Sequence, residues 1–160
     1  MKRKSYDIYS GSLNSIESGL SNFNKYPFYM DGFFICSLEG FIQGLKFESI
    51  EEQKYVFSLH GIDALNAGRT KRVKDNTIYY NSTPINRYTD AYRRLMYKAY
   101  ILSARSNERF IELLEASKGV PLDHSMHHNN KEKTLLTTKE FIDILDFIRD
   151  NIETIKRITL

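Results

Sequence analysis

The stretch CSLEGFIQGLKFES, Cys36–Ser49, contains the signals that decide how this chain folds. Ser37 is a favourable N-cap residue for a helix. Apolar side chains follow at i, i+3, i+4 and i+7, namely Leu38, Phe41, Ile42 and Leu45. This spacing is typical of an amphipathic helix with one buried face. The stretch therefore predicts a helix that begins after Ser37 and packs on the rest of the chain.

The polar side of this helix carries Glu39, Gln43 and Lys46, spaced four and then three residues apart. Glu39 falls in the first turn, where the helix dipole stabilises a carboxylate, so a solvated polar face is the simpler interpretation. Gly40 and Gly44 lie inside the helix, however, and each costs up to about 1 kcal/mol relative to alanine. The two glycines indicate close approach by another backbone or by a ligand.

The rest of the sequence predicts one α+β domain over residues 1–160, mostly helical, with a small N-terminal sheet or hairpin. Asp31-Gly32 between two aromatic runs predicts a hairpin with strands at Phe28–Met30 and Phe33–Ile35. Two further β segments are predicted: a strand at Tyr6–Ser10 and a strand or hairpin near Thr77–Asn81. The first two remaining helices run from Ser49 to about Leu59 and from Ile62 to Gly68, the second with Asp63 as its cap. Three more helices are predicted after Thr89, from Asn107 to Gly119 and after Thr137.

Composition indicates a cytoplasmic protein with no membrane partner. The chain has 160 residues, a net charge of +3 and one cysteine, Cys36, so it has no internal disulfide framework. No run of roughly 18 apolar residues could span a membrane, and the N-terminus lacks the apolar stretch of a secretory signal. A basic cluster at residues 68–74, GRTKRVK, permits a phosphate-bearing partner without requiring one.

Common cofactor and metal motifs are missing from the sequence. His124 and His127 have a spacing seen among metal ligands, but no cysteine accompanies them and the stretch reads as a loop, so no metal is expected. Neither a Walker loop nor a GxGxxG motif occurs. Cys36 lies in an apolar, β-rich context that favours a buried thiol over a nucleophile. We expect no cofactor.

Several short motifs, taken together and in order, resemble the NADAR (YbiA-like) family. They are LSNF at 20–23, YPFYMDG at 26–32, SLEGFIQGLKF at 37–47 and NAGR at 66–69. The resemblance is dense over residues 6–70 and thinner beyond. It implies a YbiA-like α+β fold and an N-glycosidase, which breaks the bond between an anomeric carbon and a nitrogen.

The resemblance also implies roles for individual residues. Glu39 corresponds to the main catalytic carboxylate of the family. Substrate-binding positions follow from the same motifs: Ser21, Asn22 and Phe23 along the sugar or base pocket, Gln43 and Lys46 at the ribose or a phosphate, and Gly68 and Arg69 at a phosphate.

The chain departs from the family pattern in two places. Tyr88 stands where the family usually has a tryptophan, which keeps a stacking ring of a different size. The family's C-terminal region has a Trp-Gly motif with an acidic residue, whereas this chain has no tryptophan and no glycine after Gly119. Either Asp123, as a second catalytic residue, or His124, as a binding residue, replaces that acid, or this half of the site is missing.

Family activities include hydrolysis of phosphorylated riboflavin intermediates and removal of ADP-ribose from guanine in nucleic acid. We expect the second, because the basic residues Arg69–Lys74 adjoin the implied phosphate site. The expected partners are an ADP-ribose-type nucleotide or ADP-ribosylated nucleic acid, with an ADP-ribosylating toxin as genetic partner in a toxin–antitoxin or phage conflict. Riboflavin-type hydrolysis, non-catalytic binding of ADP-ribose and plain nucleic-acid binding remain alternatives.

Overall fold

A computed structural model describes residues 4–158 of the chain. Its contacts divide the chain into two compact units. The first unit consists of the residues up to Ser21 and from Ala104 onward, and the second consists of Asn22–Ser103. The architecture is a mostly helical α+β fold, as the sequence predicts, and the number of domains stays a prediction.

The second unit begins with the predicted hairpin. Strands β2 (Phe28–Met30) and β3 (Phe33–Ile35) pair antiparallel, with Met30 opposite Phe33. Both turn residues, Asp31 and Gly32, have positive φ angles of 50° and 82°, the conformation that Asp-Gly favours in a two-residue hairpin. The strand bounds are therefore confirmed, because the turn signal is local to four residues.

Three helices follow the hairpin: α2 (Leu38–Gly44), α3 (Ile50–Phe57) and α4 (Gly61–Arg69). The rings of Phe41 and Phe57 stack at 5.5 Å between centroids in the core between α2 and α3. A Cβ atom on Gly40 would lie 2.5 Å from the Leu59 carbonyl oxygen, so only glycine fits there. The predicted close approach of another backbone is confirmed at Gly40, whereas Gly44 packs against the ring of Phe57.

A second hairpin and a long helix complete this unit. Strands β4 (Thr77–Tyr80) and β5 (Thr83–Asn86) pair antiparallel, and α5 spans Asp90–Ser106. The buried Gln53 side chain donates to the carbonyls of Gly44 and Tyr79 at 2.9 and 2.8 Å, which joins α2, α3 and β4. The Gly44 carbonyl also accepts from the Phe47 amide at 3.1 Å, so the Gln53 side chain adds a second hydrogen bond there.

Two helix boundaries in this unit differ from the sequence prediction. α4 begins at Gly61, with His60 at the N-cap and no side-chain cap bond, whereas Asp63 was the predicted cap and lies in the first turn. The same helix ends at Arg69 instead of Gly68. Gly61 has a positive φ of 55°, which lets the chain enter the helix one residue earlier than Ile62.

The first unit contains a pairing that the sequence did not predict. Strand β1 is shorter than expected, Tyr6–Asp7, and pairs in parallel with β6 (Leu122–Asp123). The helices of this unit are α1 (Ser15–Gly19), α6 (Glu108–Ala116), α7 (Thr138–Asp150) and α8 (Ile152–Arg157). A capping box of Thr137 and Glu140 starts α7, as the predicted helix after Thr137 requires, and this last helix is interrupted at Asn151.

No helix within residues 4–158 is long and apolar enough to cross a membrane.

Candidate functional site

The N-terminus of α2 holds Glu39 in place. The Ser37 hydroxyl accepts a hydrogen bond from the Gly40 amide at 2.9 Å and donates one to the Leu59 carbonyl at 2.8 Å. The Glu39 amide donates to the backbone oxygen of Asn22 at 3.0 Å. The capped first turn is therefore tied both to α3 and to the segment before the hairpin, which fixes the backbone under the Glu39 carboxylate.

One oxygen of the Glu39 carboxylate is anchored and the other is open. Gln43, one turn along α2, donates from Nε2 to Glu39 Oε1 at 2.8 Å. Gln43 is buried, with 8 % of its surface exposed, so its amide is rigidly packed. Within residues 4–158, Glu39 Oε2 has no hydrogen-bond partner, and it is not closed off from solvent. An accessible oxygen on a fixed carboxylate is suited to contact a ligand or a water molecule.

Burial raises the pKa of Glu39 above its usual value. The hydrogen bond from Gln43 and the charge of Lys46 act in the opposite direction. Desolvation likewise lowers the pKa of Lys46, and the negative charge of Glu39 counteracts it. A carboxylate with a raised pKa is a better proton acceptor, which is the usual adjustment for a general base.

Lys46 and Gly68 complete the surroundings of Gln43. Lys46 lies just beyond the end of α2, and its Nζ donates to the Gly68 carbonyl at 3.3 Å. A Cβ on Gly68 would lie 1.7 Å from Gln43 Oε1, so α4 can pass the amide in this position only with glycine at 68, and a larger residue would displace the Gln43 side chain. The structure thus brings four of the expected site residues together: Glu39, Gln43, Lys46 and Gly68.

Tyr100 is a neighbour of Glu39 that the sequence interpretation missed. It is fully buried on α5, and its hydroxyl donates to Asn22 Oδ1 at 2.7 Å. Burial raises its pKa well above the usual value, and the charge of Glu39 adds to this effect. The sequence contained a signal, because Tyr100 follows the buried Met96 by four residues and so lies on the same face of α5.

Gly68 and Arg69, which were expected at a phosphate, lie at the end of α4. The amides of Thr70 and Lys71 donate to the carbonyls of Ala67 and Gly68, as at any helix C-terminus. Arg69 is exposed, and its guanidinium donates to Asn66 Oδ1 at 3.1 Å. These two amides are therefore occupied within the chain, and the phosphate contact expected at Gly68 and Arg69 stays a prediction.

The other expected contacts in the N-terminal half are partly accessible. Phe23 and Ser21 are half-buried, and the Ser21 amide donates to the Ser18 carbonyl at 3.3 Å. Tyr88 is 50 % exposed at the end of β5, where its amide donates to Asn86 Oδ1 at 2.8 Å. An exposed ring in this position is available for stacking on a ligand, and its role stays a prediction.

Asp123 and His124 belong to the first unit, whereas Glu39 belongs to the second. Asp123 is exposed on β6, and its Oδ1 accepts from the His124 amide at 2.7 Å. His124 Nδ1 lies 2.7 Å from the Ile8 carbonyl, and the ring packs edge-on against Phe141 at 5.3 Å. These contacts fix His124 within its own unit, and its role in a shared site stays a prediction.

Metal or thiol chemistry would have to involve the histidines near His124 or Cys36. No group of three or more His, Cys, Asp or Glu side chains within residues 4–158 is arranged to hold a metal ion. Cys36 is half-buried, where a buried thiol was expected, and burial raises the pKa of its thiol. A raised thiol pKa disfavours the reactive thiolate.

Comparison with known proteins identifies relatives along almost the whole chain. The sequence profile described as bacteriophage protein GP30.3 matches residues 14–150. The 17.1 kDa protein of the Gp30–rIII intergenic region of Enterobacteria phage T4 is 42% identical over 136 residues, which cover 83% of this chain and 90% of that protein.

A solved structure has the same fold. The NMR structure of the Escherichia coli protein YbiA superposes with a TM-score of 0.62 and 17% identity, over 99% of this chain and 92% of YbiA. At this identity the likeness establishes the fold. The YbiA-like fold expected from the motifs is therefore confirmed.

Proposed function

The chain belongs to the bacteriophage protein GP30.3 family and has a YbiA-like fold, and from this premise we propose that it is an N-glycosidase that removes ADP-ribose from modified guanine in nucleic acid. The observation that carries the proposal is the Glu39 carboxylate, held through Oε1 by Gln43 and open at Oε2. This is what a reaction at an anomeric carbon requires of a carboxylate.

Glu39 serves the reaction in two ways. As the bond between the ribose anomeric carbon and the base nitrogen breaks, its electron pair leaves with the base and positive charge develops on the sugar. A fixed carboxylate stabilises that oxocarbenium-like charge. Glu39 Oε2 also accepts the proton of the attacking water, while the base nitrogen takes up a proton from solvent; the raised pKa of Glu39 favours this transfer.

Neighbouring residues bind the remaining parts of the substrate. The Lys46 ammonium, close to Glu39, suits a phosphate or a ribose oxygen, and the exposed Arg69 guanidinium suits a second phosphate oxygen. Phe23 and Tyr88 provide rings that can stack on a base. The phage origin of the matched T4 relative supports a role in conflict with an ADP-ribosylating toxin.

The test uses an oligonucleotide that carries ADP-ribosylated guanine, and it measures released ADP-ribose. The wild-type protein should release it, and Glu39→Gln should slow release by about 10²–10⁴-fold with the substrate still bound. Glu51→Gln, at an exposed carboxylate on α3, is the matched control and should leave the rate unchanged.

Three other outcomes contradict parts of the proposal. Release that survives Glu39→Gln would remove Glu39 from the mechanism. Binding of ADP-ribose without any release by the wild-type protein would identify a non-catalytic binder. Hydrolysis of a phosphorylated riboflavin intermediate in a parallel assay, with the oligonucleotide left intact, would assign the other family activity.

A further inference from the structure

Tyr100 makes a buried hydrogen bond to a residue next to Glu39. It projects from α5, is fully buried, and donates from its hydroxyl to Asn22 Oδ1 at 2.7 Å. Because burial and the nearby Glu39 charge raise its pKa well above the usual value, the phenol keeps its proton near neutral pH and remains a donor. Asn22 Oδ1 is the acceptor of this hydrogen bond.

Asn22 lies directly beside the first turn of α2. Its backbone oxygen accepts from the Glu39 amide at 3.0 Å, so its position relative to the carboxylate is set by the backbone. A free asparagine amide can turn over and exchange its donor and acceptor groups. In the structure the Tyr100 hydroxyl donates to Oδ1, and this hydrogen bond stabilises the orientation in which the amide oxygen faces the phenol.

This orientation leaves the Asn22 NH₂ group available. Within residues 4–158, Nδ2 of Asn22 has no hydrogen-bond partner, and it is not closed off from solvent. The site therefore combines an open acceptor, Glu39 Oε2, with an open donor on the adjacent residue. Hydroxyl groups of a ribose can satisfy both, because each hydroxyl donates one hydrogen bond and accepts others.

We propose that Tyr100 is a positioning residue, which orients the Asn22 amide so that its NH₂ group donates to a ribose oxygen of the ligand bound at Glu39. This inference rests on the proposed function, because it names a ligand contact of the same site. Tyr100 is buried, so its effect on ribose binding is transmitted through the Asn22 amide.

The test is a double-mutant cycle on ADP-ribose binding, measured by calorimetry on the full chain. Asn22→Ala and Tyr100→Phe should each weaken binding by about tenfold, the loss expected for one hydrogen bond. The double variant should be no weaker than either single one, because both remove the same contact. Additive losses would overturn the inference.

Ser103→Ala is the matched control. Ser103 is also buried on α5, and its hydroxyl donates to the Tyr26 carbonyl at 2.9 Å, so the variant loses a buried hydroxyl without touching Asn22. It should bind ADP-ribose like the wild type. An equal loss in Ser103→Ala would mean that Tyr100 acts only through general stability.

Nuclear magnetic resonance of the Asn22 side-chain amide gives a second readout that does not require turnover. ADP-ribose should shift the Asn22 amide signals of the wild type and leave those of Tyr100→Phe nearly unmoved. No shift in the wild type, or no binding of ADP-ribose at all, would overturn the inference. If Asn22→Ala and Tyr100→Phe are coupled in ADP-ribose binding but the protein releases no ADP-ribose from the oligonucleotide, the proposed glycosidase activity is refuted and the role of Tyr100 is retained.

Discussion

Burial raises the pKa of the Glu39 carboxyl, so the ionised side chain lowers the free energy of unfolding at neutral pH. Below the pKa of the unfolded chain, the group is protonated in both states and costs nothing. As the pH rises from there toward the raised pKa of the folded state, the unfolded chain loses its proton first and stability falls. Above the folded pKa the cost is constant.

Glu39→Gln should therefore stabilise the fold at pH 7. The new amide oxygen can still accept the hydrogen bond from Gln43, and the buried negative charge is removed. The gain should shrink as the pH falls through the folded pKa and vanish below the ordinary range of glutamate, near 4.5. Thermal unfolding at several pH values measures this gain, because each kcal/mol raises the midpoint temperature of unfolding by about 2–4 °C. A pH-independent difference, or a gain equal to that of the exposed control Glu51→Gln, would contradict this assignment.

At the scale of elements, glycines decide how closely α2, α3 and α4 pack. A Cβ on Gly40 would meet the backbone oxygens of Leu59 and Val56 at 2.5 and 3.0 Å, and backbone cannot move aside cheaply. A Cβ on Gly68 would meet the side chain of Gln43 instead. The same substitution at the two positions should therefore have different consequences.

Gly40→Ala should destabilise the protein by about 1–3 kcal/mol, the usual cost of overpacking, although alanine is the better helix former. Gly68→Ala should lower stability less but displace Gln43, release Glu39 Oε1 and lower the rate of ADP-ribose release. Urea unfolding and the release assay separate the two. Equal stability losses with unchanged activity in Gly68→Ala would show that Gln43 does not position Glu39.

At the scale of the whole molecule, the charge is mildly basic at +3. Lys71, Arg72 and Lys74 are exposed between α4 and β4. Lys71 lies 3.9 Å from Glu52 and over the Phe47 ring, so part of its charge is already paired. If nucleic acid is the substrate, these residues contribute through phosphate contacts, which depend on salt.

Replacement of Lys71, Arg72 and Lys74 together by glutamine should weaken oligonucleotide binding at low salt. It should also reduce the slope of log affinity against log salt by about 2, the value for three single-strand phosphate contacts. Affinity for ADP-ribose alone should not change. An unchanged slope would remove this cluster from the nucleic-acid contact, and an equal loss for ADP-ribose would place it at the nucleotide itself.

Much of the fold could be predicted because its signals are local. The Asp31-Gly32 turn fixes both strands of its hairpin, and the caps at Ser37 and Thr137 fix the starts of α2 and α7. The Glu39–Gln43 contact also follows from helical spacing. Each of these features depends on residues no more than seven positions apart, so short-range sterics and hydrogen bonding suffice.

Other features depend on residues far apart in the chain and are set when those segments pack together. The pairing of Tyr6 with Leu122 and the bond from Tyr100 to Asn22 join segments that no local pattern connects. Local signals in the chain specify a capped helix with Glu39 on its polar side. The packing of α3, α4 and α5 decided that this carboxylate is desolvated, anchored at one oxygen and open at the other, because burial is a property of the assembled core.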